Sequence, residues 1–273
     1  MFDLQLIGTR SLNPVDTVID TLVTNSGVSD TSIMVIGAHC RDLLHASCGR
    51  TDLLRATSDL DIGVAVDGDS EYRRIVSTFP RSGSTEIRYS IAGISVDVVP
   101  FGEIEDPTGT TNLPSRNDSL DVFGFQEVFA RSQELPLPSG NRVRIPTAAG
   151  YTALKLKAWC DRSINGEYKN AGDIATACSW YQEDVDVRTS LYEHRTDLLL
   201  RAEIDVDVAS LHLLGEEISD VLGSSRVAEL AEAWQRTDRE LLAEYFARQR
   251  SRTCPDRAKA RRAITGLTAF LSD

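Results

Sequence analysis

The chain has 273 residues, enough for one large domain or two of ordinary size, each with its own core. With 41% hydrophobic and 26% charged residues, no apolar run near the ~20 residues of a membrane-spanning helix, and no signal-peptide pattern in Met1–Arg10, it reads as a globular cytoplasmic protein without a membrane partner. Its five cysteines (40, 48, 160, 178 and 254) include no Cys-x-x-Cys pair, which argues against a disulfide framework or a structural zinc site.

Asn13 to Asn25 has the spacing of an amphipathic helix, with Val15, Val18, Ile19 and Leu22 on one side. Ile33 to Ile36 is a short apolar strand running into Gly37-Ala38, and helical spacing continues to about Ser47. A strand that turns into a helix through glycine leaves backbone N–H groups and the positive end of the helix dipole facing outward, which suits a phosphate. Arg41 and Asp42, in the first helical turn, are candidates for phosphate contact or for an Arg–Asp brace. Arg55 is a candidate for reaching a triphosphate or for an exposed ion pair. His39, Cys40, His45 and Cys48 are close in sequence, but their spacings do not converge on one point of a helix, so zinc is not expected.

The next strand, Ser58 to Val66, carries Asp59 and Asp61. Strand side chains alternate, so these two carboxylates share one face while Leu60, Ile62, Val64 and Val66 share the other. A helix near Glu71 to Thr78 follows, then strands Thr85 to Tyr89 and Gly93 to Val99, forming a hairpin around Ala92-Gly93 and presenting a third carboxylate, Asp97. Three neighbouring carboxylates repel unless a cation compensates them, and a hard, oxygen-preferring ion such as Mg²⁺ (or Mn²⁺) suits such donors. Residues 103 to 119 read as an irregular loop. Val122 to Glu134 and Arg142 to Ile145 read as a hairpin around Pro138-Ser-Gly-Asn141. From Thr147 the pattern is helical: Ala148 to Cys160, Ala171 to Gln182, Ala209 to Leu222, Val227 to Arg248 and Asp256 to Leu271. The expected division is an α/β domain over 1–146 and a helical domain over 147–273 that completes the active-site cleft. Trp159 and Trp180 are expected in the core.

Charge is uneven. The formal net charge is −12, yet residues 248 to 262 hold seven basic side chains (Arg248, Arg250, Arg252, Arg257, Lys259, Arg261 and Arg262) against Asp256, leaving −18 on the remainder once the stripe's own +6 is set aside. Such a stripe is either a phosphate-holding surface or a solvated helix face.

A phosphate-binding turn followed by paired metal-binding carboxylates is the apparatus of phosphoryl or nucleotidyl transfer. Six ordered blocks carry a family resemblance: Gly37-Ala-His-Cys-Arg-Asp-Leu-Leu44, Arg55-Ala-Thr-Ser-Asp-Leu-Asp-Ile62, Val96-Asp-Val-Val-Pro-Phe-Gly-Glu-Ile-Glu105, Gly124-Phe-Gln-Glu127, Leu154-Lys-Leu-Lys-Ala-Trp-Cys-Asp-Arg162 and Lys169-Asn-Ala-Gly-Asp-Ile174. Over roughly residues 30 to 182 the chain resembles the AbiEii-type nucleotidyltransferases of the DNA-polymerase-β-like superfamily, many of them toxins of toxin–antitoxin or phage-abortive systems. The resemblance implies an α+β fold, a mixed sheet packed with helices followed by a helical C-terminal domain. It also implies Mg²⁺, an NTP donor, transfer of NMP and, for a toxin, an antitoxin partner; the leading acceptor is RNA, a tRNA end, with the 248–262 stripe helping to hold its phosphates. Carried over by position, Asp59 and Asp61 bind metal, Asp97 completes the site or takes the acceptor's proton, Lys155 contacts the nucleotide phosphates, and Asp173 matches the last aspartate. Gly37, Ala38, Arg41 and Arg55 would surround the triphosphate. Lys157 is an alternative to Lys155. The chain departs from the wider pattern at Ala38, where Gly or Ser is usual, and at Asn170, where Asp is frequent. Two alternatives stand beside RNA modification: transfer to a small cationic hydroxyl compound such as an aminoglycoside, favoured by the acidic body, and a non-catalytic nucleotide- or partner-binding module.

Overall fold

The computed structural model describes residues 2–83, 85–113, 119–249 and 256–272. The chain divides at Thr147/Ala148 into two compact units. The architecture is α+β, with a mixed six-stranded sheet and eleven α-helices among the described residues. No helix there is long and apolar enough to cross a membrane.

The first unit begins with α1 (Thr9–Ser26), which buries Val15, Val18, Ile19 and Leu22, the stripe its spacing predicts. It continues with β1 (Ile33–Ile36), α2 (Gly37–Ser47), β2 (Asp59–Val66), α3 (Asp69–Val76), β3 (Arg88–Ile91) and β4 (Ile94–Gly102). A short pair, β5 (Thr110–Thr111) and β6 (Leu120–Asp121), precedes α4 (Phe125–Ala130), β7 (Gln133–Pro136) and β8 (Arg142–Ile145). The main sheet has the order β3-β4-β2-β1-β8-β7. The central pair, β2 and β4, is parallel, and antiparallel β3 and β1 flank it. Leu60, Ile62, Val64 and Val66 are buried on one face of β2, so Asp59 and Asp61 emerge together on the other.

The expected strand over Val122 to Glu134 is not formed as such. Its middle is α4, entered through Gly124 at φ 73°. A helix wins there because Phe125 and Phe129, four residues apart, both meet Phe101 edge-on, with centroids 5.7 and 5.3 Å away. Only the last residues form β7, which pairs with β8 as the expected hairpin.

The second unit comprises α5 (Ala148–Arg162), α6 (Lys169–Gln182), α7 (Val185–Glu193), α8 (Thr196–Arg201), α9 (Val206–Gln235), α10 (Arg239–Ala247) and α11 (Arg257–Leu267). Trp159 and Trp180 are buried in its core. Side chains of Asp184, Asp205, Asp238 and Asp256 accept backbone N–H bonds at the starts of α7, α9, α10 and α11, which fixes where those helices begin. The expected interruption after Leu222 appears as a kink at Gly223, with φ 70° and ψ 167°. The expected continuous helix from Val227 to Arg248 is instead divided by the Asp238 cap.

Candidate metal centre

Asp61 on β2 faces Asp97 on β4 in the parallel register, and Asp59 lies two residues earlier on the same face of β2. One carboxylate oxygen from each of Asp59, Asp61 and Asp97 lies within 4.8 Å of the others, all three side chains being half-buried. Among the described residues this is the one group of three or more His, Cys, Asp or Glu side chains placed to share an ion.

The donor set fits the expected ion. Three carboxylate oxygens are hard ligands of the kind Mg²⁺ and Mn²⁺ take, and strands hold them more rigidly than loops would. The backbone is shaped around one of them: Gly37 has φ 66°, and a Cβ there would stand 1.9 Å from Asp61 Oδ2 and 2.7 Å from its Cγ. Glycine is therefore required twice over, for the left-handed conformation and for the close approach of the Asp61 carboxylate. Gly37 opens α2, whose N-terminus has no side-chain cap, and Ala38 follows it in the first turn.

Sequence reasoning missed Arg88. Its Nε donates to Asp97 Oδ1 and its Nη2 to Asp97 Oδ2, each at 2.7 Å, and Nη2 also reaches Asp59 Oδ2 at 3.0 Å. The fork on Asp97 raises the Arg88 pKa, so the guanidinium is a permanent cation inside the carboxylate cluster. Its position was available from the hairpin. A two-residue loop at Ala92-Gly93 places Ile91 opposite Ile94 and therefore Arg88 opposite Asp97, the register observed. Thr57 was also missed; its hydroxyl donates to Asp59 Oδ1 at 2.5 Å and holds that carboxylate from the other side.

The remaining candidates separate. Arg41 is 2% exposed, donates from Nε to Asp42 Oδ1 at 2.8 Å and from Nη2 to the Arg55 carbonyl at 2.6 Å. These bonds form the Arg–Asp brace that is one of its two readings, tying α2 to the segment before β2. Arg55 has an exposed side chain and takes part through that carbonyl. His39, in the first turn of α2, has its pKa lowered by burial, against the pull of Asp42 and Asp59.

In the helical unit, Lys155 Nζ lies 2.7 Å from Asp173 Oδ2 and 5.3 Å from the Tyr151 ring centre. Two positions given separate roles by the resemblance thus form one ion pair between α5 and α6. Lys157 points elsewhere and pairs with Asp161 at 2.7 Å. Asn170 is buried and donates to the Ala158 carbonyl at 3.2 Å, so the departure from Asp serves helix packing.

Four arginines of the basic stripe meet carboxylates from outside it. Arg248 pairs with Glu244, Arg257 and Arg261 share Glu240, and Arg262 meets Asp205 at 3.0 Å. Arg250 and Arg252 lie outside the described residues.

Comparison of the chain with models of known families, with curated proteins and with solved structures returns no match.

Proposed function

We propose that the chain is a divalent-metal-dependent nucleotidyltransferase of the AbiEii type, moving NMP from an NTP to a hydroxyl acceptor. The observation that carries this reading is the meeting of Asp59, Asp61 and Asp97 on two adjacent parallel strands, with Asp61 packed against the glycine that opens α2. The order of these parts along the chain, glycine turn, paired aspartates and third aspartate, is the order the resemblance implies.

Asp59, Asp61 and Asp97 would hold Mg²⁺. Bound there, the ion supplies charge compensation for the triphosphate and lowers the pKa of an attacking hydroxyl. The acceptor oxygen forms a bond to the α-phosphorus while the bond from that phosphorus to the pyrophosphate oxygen breaks, and the hydroxyl proton passes to a carboxylate of the cluster, Asp97 in the family-based assignment. The backbone amides and dipole of α2 favour the negative charge of the departing phosphates. A nucleotide-phosphate contact for Lys155 rests on the resemblance alone; within the helical unit its ammonium meets Asp173 and Tyr151.

The leading acceptor is an RNA end, with the basic stripe over 248–262 helping to hold its phosphates, and a toxin countered by an antitoxin is the corresponding cellular setting. A small cationic hydroxyl compound is the second reading. It is favoured by the net charge of −12 and by the stripe, whose described arginines already meet carboxylates. Incubation of the protein with each α-labelled NTP and Mg²⁺, with total RNA in one series and aminoglycosides in another, tests both. Label on RNA supports the first reading, label on the small compound supports the second, and no transfer to either with any NTP sinks the proposal.

A further inference from the structure

Arg88 stands where the proposed ion would act. Its fork covers both oxygens of Asp97 and extends to Asp59 Oδ2, so two of the three carboxylates already have a cation bonded to them. Arg88 projects from β3, an edge strand of the sheet, and its side chain is 31% exposed. The bidentate fork engages both oxygens of Asp97, atoms that would also serve as ligands to a metal ion. Asp61, the third member, is placed by the glycine cradle. Asp61 thus lies against the glycine cradle, while Asp97 and Asp59 both accept from the Arg88 guanidinium and Asp59 also from Thr57.

Resting on the metal-centre reading above, we infer that Arg88 is an exchangeable counter-cation that competes with the divalent ion for Asp97 and Asp59. Arg88 stabilises the three carboxylates against their mutual repulsion when no ion is bound. Ion binding releases the guanidinium beside the cluster, where its next partner is an anionic ligand delivered with the ion, the phosphate oxygens of a nucleotide. Arg88 is accordingly a positioning residue that links metal loading to nucleotide loading. A purely structural Arg88 would keep its fork on Asp97 with the ion bound, so Arg88→Lys, which keeps the charge, would bind the metal as the wild type does.

Electron paramagnetic resonance titration with Mn²⁺ alone, on the full chain, separates these cases. Arg88→Gln removes one positive charge a few ångströms from a divalent ion at a partly exposed site, so Mn²⁺ should bind about tenfold tighter than in the wild type. Arg88→Lys, which keeps the charge and loses the fork, should fall between the two. Thermal unfolding provides the control for folding. Arg88→Gln should melt earlier than wild type in EDTA and gain more from saturating Mn²⁺ than the wild type gains, whereas a structural role lowers both melting points equally. Equal or weaker Mn²⁺ binding in Arg88→Gln overturns the counter-cation role while leaving the metal centre standing. If neither wild type nor variant binds Mn²⁺, the metal-centre reading itself fails, and this inference with it.

Discussion

Gly37→Ala is the sharpest perturbation of the carboxylate cradle, and Gly27→Ala supplies its control. Both glycines are left-handed, with φ of 66° and 68°, so each substitution carries a similar backbone penalty of about 1 to 2 kcal/mol. They differ in their surroundings. A Cβ at Gly27 meets nothing within 4 Å, whereas one at Gly37 falls 1.9 Å from Asp61 Oδ2, 2.7 Å from Cγ and 2.8 Å from Cβ. No heavy-atom contact of that length survives, so the Asp61 side chain must turn away, and displacement of a packed side chain adds roughly 1 kcal/mol or more. Gly27→Ala should therefore lower the unfolding temperature by only a few degrees, and Gly37→Ala by several more. The decisive difference lies in metal binding: Gly27→Ala should bind Mn²⁺ as the wild type does, and Gly37→Ala at least tenfold more weakly, because one of three ligands is out of place. Thermal unfolding and Mn²⁺ titration on the same two samples measure both effects. Indistinguishable stability and Mn²⁺ affinity in the two variants would refute the reasoning that Gly37 shapes the Asp61 position.

Further expected outcomes concern the rest of the molecule. Asp61→Asn and Asp59→Asn should abolish most nucleotidyl transfer; in EDTA Asp61→Asn should leave unfolding unchanged or slightly raised by relieving carboxylate repulsion, whereas Asp59→Asn, which loses its ion pair with Arg88, should melt slightly earlier, and activity assays paired with calorimetry check both. Lys155→Met should destabilise the helical unit by about 3 kcal/mol because it leaves the Asp173 carboxylate, 3% exposed, without its ammonium, and Asp173→Asn in the same chain should restore part of the loss; denaturant unfolding of the single and double variants measures the coupling. Burial lowers the pKa values of His39 and His45, the latter beside Asp52, Arg50 and Asp42. The folded state thus favours their neutral forms, and the resulting stability, complete above the ordinary histidine pKa near 6.5, should be lost as pH falls below it, by at most about 1.4 kcal/mol per pH unit for each group. Unfolding curves across that range, with His39→Gln and His45→Gln flattening the dependence, report it. Replacing Arg257, Arg261 and Arg262 by Gln should leave the salt dependence of RNA labelling unchanged, because their guanidinium groups are held on Glu240 and Asp205; a loss of roughly one unit of slope per residue would show that they leave those carboxylates for phosphates.

What was readable in the sequence was what is local. Strand alternation placed Asp59 and Asp61 on one face, and the strand-to-helix switch at Gly37 marked the turn beside them. The neighbourhood of Asp61 and Asp97 was not readable from pattern, because parallel pairing of β2 with β4 joins segments separated by a helix and a strand, and no local signal states which strands adjoin. Arg88 was an avoidable omission: hairpin register alone sets it opposite Asp97, but register matters only once the carboxylate is considered together with its cross-strand partner. α4 replaced an expected strand because contacts of Phe125 and Phe129 with Phe101, distant in sequence, override an ambiguous local preference. α7 and α8 lacked a strong apolar period, yet the Asp184 cap was a usable start signal for α7.

The central claim is that Asp59, Asp61 and Asp97 together hold a divalent ion that engages a nucleoside triphosphate. Crystals grown with Mn²⁺ and a non-hydrolysable NTP analogue, measured for anomalous scattering, test it most directly. The account predicts a manganese peak ligated by oxygens of all three aspartates and by the triphosphate, with Arg88 turned from Asp97 toward a phosphate. Manganese bound elsewhere, or to the triphosphate alone with the three carboxylates uncoordinated, would contradict it.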